Sequence, residues 1–232
     1  MPAVSTLDRA LEYRCSIDLD VYDSPKCDRL ATQAATGRHI RIVSLPVAAE
    51  RAIAVRLCED DYPGWLAVED AQYLEPAPTS YRAPVWSAEE IQRHIPEVVA
   101  FTYHAMEHHD RYLWGGTVGP NYDCSGLMQA AFASVGVRLP RDAYQQEAFV
   151  RSIPLNALQT GDLVFFGTPE KATHVGLYLG DGRYIHSSGI EQGRNGIAID
   201  ILSPEGDDIA RNYYQQFRGA GRVVASYQPQ PG

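Results

Sequence analysis

Pro76, Pro78 and Pro84 fall within nine residues, and no regular helix or strand crosses such a stretch. Each proline removes a backbone donor and restricts the residue before it. The chain therefore reads as two folding units, residues 1–76 and 88–228, joined by an extended linker over 77–87. With 232 residues in all, each unit has enough chain to bury a core. Ahead of the prolines, short β-type runs dominate, at residues 12–16, 19–22, 39–45, 52–57 and 65–68, with turns rich in Asp, Pro and Gly between them. Runs at that spacing predict a small all-β barrel or sandwich. Residues 229–232 read as a disordered tail.

Behind the prolines, Ser87 and Glu90 form the pattern of a capping box, in which each side chain satisfies the other's first-turn N–H. It opens a predicted helix through Ile91, Ile95, Val98, Val99, Thr102 and Met106, with Pro96 able to bend it. His104, His108 and His109 lie on that helix. The first two have the i,i+4 spacing of a metal pair, but no glutamate completes an H-E-x-x-H pattern, so no metal site is expected.

Chemistry concentrates further on. Gly115, Gly116, Gly119 and Pro120 make an irregular approach to Asp123-Cys124-Ser125-Gly126-Leu127. From there Leu127, Ala130, Ala131 and Val135 recur at helical spacing up to Gly136. Cys124 is thus predicted in the first turn of a helix, where unpaired N–H groups and the helix dipole favour a thiolate. Taken alone, it suits a buried small hydrophobe better, as most lone cysteines do. His174 opens an apolar strand run, and His186 sits in a second one beyond the Gly180-Asp181-Gly182 turn, a hairpin signal. Such a hairpin places both imidazoles near one sheet edge. A sulfur nucleophile needs a base in reach and a third group to orient that base, and Cys124, His174 and His186 supply those three roles.

The segments Tyr112-Leu113-Trp114-Gly115-Gly116, Asp123 to Leu127, Leu139-Pro140-Arg141-Asp142, Gly161 to Phe166, His174 to Tyr178 and Tyr184-Ile185-His186 resemble the NlpC-type family of papain-like cysteine peptidases, over roughly residues 88–225. Leu19-Asp20-Val21-Tyr22 and Gly64-Trp65-Leu66 resemble the bacterial SH3-like barrel that often accompanies them. The resemblance implies an α+β, papain-like domain with an antiparallel sheet and a nucleophile helix, preceded by the small all-β barrel. It implies Cys124 as nucleophile, His174 as general base and later acid, and His186 as orienting residue. It also implies cleavage of γ-D-glutamyl–L-diamino acid bonds in murein peptides, without metal or organic cofactor. Candidate substrate contacts are Tyr112, Trp114, Ser125, Asp142 and Tyr62. Tyr112 suits equally a hydroxyl that helps hold the oxyanion or a core aromatic. Asp123 and Arg141 read as a structural ion pair, and Asp162 as a turn residue.

Where many relatives carry a small hydroxyl residue after Leu-Pro-Arg, this chain has Asp142. A carboxylate there pairs with a free α-ammonium and rejects an acylated amine, which would leave it desolvated without a partner. The loop 59–62 adds to that pocket if the barrel docks over the cleft, with Tyr62 the preferred contact and Glu59, Asp60 and Asp61 reading equally as a solvated acidic turn.

Charge and cysteine content bound the partners. The net charge is −9, so polyanions such as nucleic acid are poor partners. A small soluble murein peptide is expected, with no obligate protein partner evident. No apolar run approaches the ~18 residues of a spanning helix, so no membrane partner is expected. The first twenty residues are too charged for a secretion signal. Besides Cys124, the chain has Cys15, Cys27 and Cys58, an odd remainder that suits a reducing compartment. The expectation is a cytoplasmic endopeptidase that recycles stem peptides bearing a free N-terminal L-Ala. Its rivals are a secreted hydrolase of intact wall and a non-catalytic wall-binding module, with an amidase or acyltransferase on the same core more remote.

Overall fold

The structure, a computed structural model, describes residues 7–46, 51–108 and 110–230. Among the described residues, seven strands run up to Pro76: β1 (Glu12–Cys15), β2 (Leu19–Tyr22), β3 (Leu30–Ala34), β4 (His39–Ser44), β5 (Ala52–Leu57), β6 (Pro63–Ala67) and β7 (Leu74–Pro76). They form one antiparallel sheet in the order β3-β2-β6-β5-β4-β1-β7. Alternation decides which face is inside. Tyr13 and Cys15, Leu19 and Val21, Ile40 and Ile42, and Ile53, Val55 and Leu57 all turn into a single core. The sheet curls around that core, and its edge strands β3 and β7 do not pair with each other.

The run 30–34 does not stand out in the sequence, because one of its two buried residues, Thr32, is polar and the other, Ala34, is small. Thr32 is fully buried and its hydroxyl accepts a hydrogen bond of 2.9 Å from Arg141 Nε. A partner from the other half of the chain replaces the apolar contact that alternation would demand.

The capping box forms: Glu90 N donates to Ser87 Oγ at 3.3 Å and Ser87 N to Glu90 Oε2 at 2.8 Å. The single helix expected behind it is two, α1 (Ala88–Arg93) and α2 (Ile95–Glu107), parted at His94. Pro96 causes the break by occupying the first turn of α2, where its missing N–H costs nothing. His104 and His108 meet edge to face, with their Nε2 atoms 3.2 Å apart. His109 lies outside the described residues.

The rest comprises α3 (Cys124–Ala133), α4 (Ala143–Phe149), β8 (Arg151–Ile153), β9 (Leu163–Gly167), β10 (Ala172–Gly180), β11 (Arg183–Ser188), β12 (Gly196–Ile201), α5 (Asp208–Gln215) and β13 (Phe217–Arg222). The six strands form a second antiparallel sheet, ordered β12-β11-β10-β9-β13-β8. Its core packs α2 and α3 against β9, β10 and β11 through Val98, Leu127, Met128, Phe132, Phe165, Val175 and Ile185. Asp181 and Gly182, at φ 52° and 73°, close the β10–β11 hairpin as a turn with two left-handed residues. No helix among the described residues is long and apolar enough to cross a membrane.

Polar contacts join the two halves. Gln129 Nε2 donates to Asp60 Oδ2 at 2.9 Å, and Thr117 Oγ1 to the Gln33 carbonyl at 3.0 Å. From the segment between them, Tyr81 N donates to Glu12 Oε2. At the far end, Gln230 N reaches Asp61 Oδ2 at 2.7 Å, which seats this part of the expected tail on the β domain.

Candidate active site

Asp123 sets the position of Cys124. As the N-cap of α3, it accepts from Gly126 N at 2.7 Å and from Gly115 N at 2.9 Å. The buried guanidinium of Arg141 holds both of its oxygens, at 3.1 and 2.6 Å. The turn is tight enough to require glycine at 126, where a Cβ would lie 2.0 Å from the Gly116 carbonyl oxygen. Cys124 follows as the first helical residue, 6% exposed, with the Val175 and Ser125 amides among the groups that favour its thiolate.

The sequence predicts a thiol inclined to ionise at this helix start. The structure shows the opposite balance. Burial, reinforced by the Asp123 charge, pushes Cys124 up to about 12, and the two amides and Arg141 only partly offset this. His174 is held well below the usual imidazole value, first by burial and then by His186. Both groups therefore rest neutral, one a thiol and the other an imidazole. Transferring a proton from one to the other creates an ion pair rather than a lone charge, so the two burial costs do not simply add.

The histidines form a chain. His174 Nε2 lies 2.7 Å from His186 Nδ1, and His186 Nε2 lies 2.9 Å from Asp200 Oδ2. An ionised carboxylate only accepts, so His186 carries its proton on Nε2 and accepts on Nδ1. His174 must then donate from Nε2, which leaves its Nδ1 without a proton as the base. Burial acts against the charge of Asp200, but His186 and Arg194 outweigh it and hold that carboxyl below its usual range. Arg194 also bridges to Asp207 at 2.7 Å. Tyr213, from α5, stacks on His174 with centroids 4.5 Å apart, and its hydroxyl meets Ser188 Oγ at 2.8 Å. Asp200, Arg194 and Tyr213 are absent from the sequence reading. The available signal for Asp200 was a lone carboxylate within the apolar run 197–201; Tyr213 gave none.

Two cavities flank this chain. One, of about 360 Å³, is lined by Tyr62, Tyr112, Trp114, Cys124, Asp142 and Lys171 among others. The second, of about 380 Å³, continues past Tyr112 and Trp114 to His174, Glu191 and Tyr213. Tyr62 OH donates to Asp142 at 3.4 Å across the domain boundary. Of the loop 59–62, Tyr62 alone lines the first cavity. Glu59 and Asp60 are buried and paired with Arg38, at 3.4 and 2.9 Å, so neither is a solvated acidic turn, and neither lines the cavity that holds Cys124. Ser125 borders the cavity, but its hydroxyl is committed to Asp123 and Arg141. Trp114 is 59% exposed at the mouth, with Arg29 5.3 Å from its ring. Burial pushes the Asp142 carboxyl up, aided by Asp123, while Arg141 and Tyr62 pull it back. Among the described residues no group of three His, Cys, Asp or Glu side chains could hold a metal ion.

Residues 109–219, which contain Cys124, both histidines and Asp200, match the NlpC/P60 family. Residues 109–219 are an NlpC/P60 domain. Ahead of it, residues 21–70 match the family described as bacterial dipeptidyl-peptidase Sh3 domain. Among relatives of the NlpC/P60 domain, the γ-D-glutamyl-L-lysine dipeptidyl-peptidase of Bacillus subtilis (strain 168) is 41% identical over 95 residues, which are 40% of this chain and 30% of that protein. The protein of the same name from Bacillus cereus (strain ATCC 10987 / NRS 248) is 34% identical over 116 residues, 49% of this chain and 32% of that one. The chain thus spans about a third of the length of these relatives. The crystal structure of an NlpC/P60 family protein from Bacillus cereus ATCC 10987 aligns with a TM-score of 0.46 at 23% identity, over 92% of this chain and 64% of that one.

Proposed function

We propose that this chain is a cysteine endopeptidase that cleaves the γ-D-glutamyl–L-diamino acid bond of murein stem peptides with a free N-terminal L-Ala. The observation that carries the proposal is the Tyr62–Asp142 contact beside Cys124. It closes the cavity at one end with an acceptor suited to an ammonium. The names of the two Bacillus relatives agree with the γ-glutamyl bond.

In this mechanism the Cys124 thiol passes its proton to His174 Nδ1 as sulfur adds to the γ-glutamyl carbonyl. The Cys124 N–H, an orphan donor of the helix start, takes the developing oxyanion, with the Tyr112 hydroxyl placed at the same cavity wall. His174 then protonates the leaving amine of the diamino acid. It next draws a proton from water, which hydrolyses the thioester and restores the thiol. His186 and Asp200 keep His174 in the tautomer that both steps use. The chain needs no metal for this sequence of proton transfers.

The biological role we assign is recycling of wall fragments in the cytoplasm. Four free cysteines, one of them the half-exposed Cys27, suit a reducing compartment. The test is incubation with L-Ala-γ-D-Glu-diaminopimelate and its N-acetyl derivative, followed by mass spectrometry, with Cys124→Ala as control. Cleavage of the free-amine peptide alone supports the proposal. Equal cleavage of both keeps the peptidase and removes the free-amine specificity, and rapid digestion of intact sacculi removes the recycling role.

A further inference from the structure

A γ-linked dipeptide presents two charges on the amino side of the scissile bond. One is the L-Ala ammonium. The other is the α-carboxylate that γ-linkage leaves free on glutamate. The cavity beside Cys124 is lined by three carboxylates, Asp23, Asp123 and Asp142, and three cations, Arg29, Arg141 and Lys171. Two pairs are already made inside it. Arg141 holds Asp123 at 2.6 Å, and Arg29 holds Asp23 at 3.6 Å. One charge of each sign is left over, Asp142 and Lys171.

Both leftover groups border Tyr144. The Lys171 ammonium lies 5.6 Å from the ring centroid, while burial and the neighbouring Asp142 carboxylate push the Tyr144 hydroxyl up. The aromatic ring spaces the two charges, and they form no ion pair with each other. In an extended L-Ala-γ-D-Glu unit the ammonium and α-carboxylate are roughly 6 Å apart, by ordinary backbone dimensions. Lys171 also directly precedes β10, three residues before His174, so it leads into the strand that carries the base.

We propose that Lys171 binds the α-carboxylate of the γ-linked glutamyl residue, so that the cavity selects the α-carboxylic acid over the α-carboxamide, isoglutamine. The inference rests on the γ-glutamyl reading above and adds to it the charge state of the second substrate residue. Asp142 and Lys171 together make the pocket complementary to a zwitterion. Neutralising the carboxylate leaves Lys171 covered by substrate without a partner, which weakens binding of the carboxamide.

The experiment compares kcat/KM for L-Ala-γ-D-Glu-L-Lys and for its α-carboxamide in the wild-type protein, Lys171→Gln and Lys171→Arg. The wild type is expected to favour the acid about tenfold, as one charge-assisted contact provides. Lys171→Gln is expected to bring the ratio near one, and Lys171→Arg to keep it. No preference in the wild type, or a preference that survives in Lys171→Gln, overturns the proposal. Turnover of neither peptide is failure of the γ-glutamyl reading instead. Charge selection is then decided by calorimetry of L-Ala-γ-D-Glu and L-Ala-D-isoglutamine on Cys124→Ala: tighter binding of the first supports it and equal binding refutes it.

Discussion

His186 turns its Nδ1 toward His174 Nε2 at 2.7 Å and its Nε2 toward Asp200 at 2.9 Å, so a carboxylate that His174 does not touch decides, through His186, which nitrogen of His174 is left without a proton. Asp200→Ala is expected to lower kcat/KM on the order of 100-fold. Loss of a carboxylate that touches the base itself costs ~10⁴-fold in a serine protease triad; here His186 still orients His174. Asp200→Asn should cost less, because its amide oxygen still accepts from His186. Kinetic constants and the pH profile of the three proteins check this, since a purely structural loss would leave the profile unmoved.

The pH dependence follows from the neutral resting pair. Protonation of His174 removes the base, and its depressed pKa puts the acid limb of kcat/KM below the ordinary histidine value of about 6.5. Ionisation of Cys124 comes only near 12. Alkylation of Cys124 by iodoacetamide in the absence of substrate should therefore keep rising between about pH 7 and pH 9. A plateau reached near neutrality would show a preformed thiolate instead.

Asp142 must be ionised to hold an ammonium, and burial raises its pKa. As pH falls through that raised value, the preference for free-amine over N-acetylated peptide should shrink. Asp142→Asn should narrow the same ratio by roughly 10- to 100-fold at neutral pH, the range of a charge-assisted hydrogen bond. Tyr62→Phe, which removes a long contact of 3.4 Å, should narrow it much less. Paired kcat/KM measurements on the two peptides decide both.

Arg141 is 1% exposed and bonded to Asp123, Ser125 and Thr32. Arg141→Met leaves the Asp123 carboxylate in the interior without its counter-charge, and removing one partner of such a pair costs about 3–5 kcal/mol. Urea unfolding should show that loss. Thr32→Val, which removes one neutral acceptor, is expected to cost only about 1–3 kcal/mol.

Much of the candidate site is legible in the sequence, because its candidate catalytic groups sit on sharply patterned elements. The glycine-rich approach and the helical period locate Cys124, and the Asp181-Gly182 turn brings His174 and His186 to one edge. What escapes is contributed by residues whose neighbours are distant in the chain. Asp200 looks like an interruption of an apolar strand until β12 is laid beside β11. Thr32 hides β3 because its partner, Arg141, is 109 residues away. Pro96 marks a bend in the pattern, whereas the backbone uses it to begin a new helix. The helix dipole at Cys124 is real, but burial and the adjacent Asp123 outweigh it.

Tyr62 stands in the connection between β5 and β6, and the nucleophile it overlooks belongs to another folding unit. Tyr62 and Cys124 therefore line one cavity from separate stretches of chain, held together by contacts such as Gln129–Asp60 and Thr117–Gln33. Substitutions or insertions in that one β-domain hairpin can redraw what the cleft admits while β10, β11 and β12 keep the proton chain intact. An ancestral thiol hydrolase could change its diet along this route without passing through an inactive intermediate.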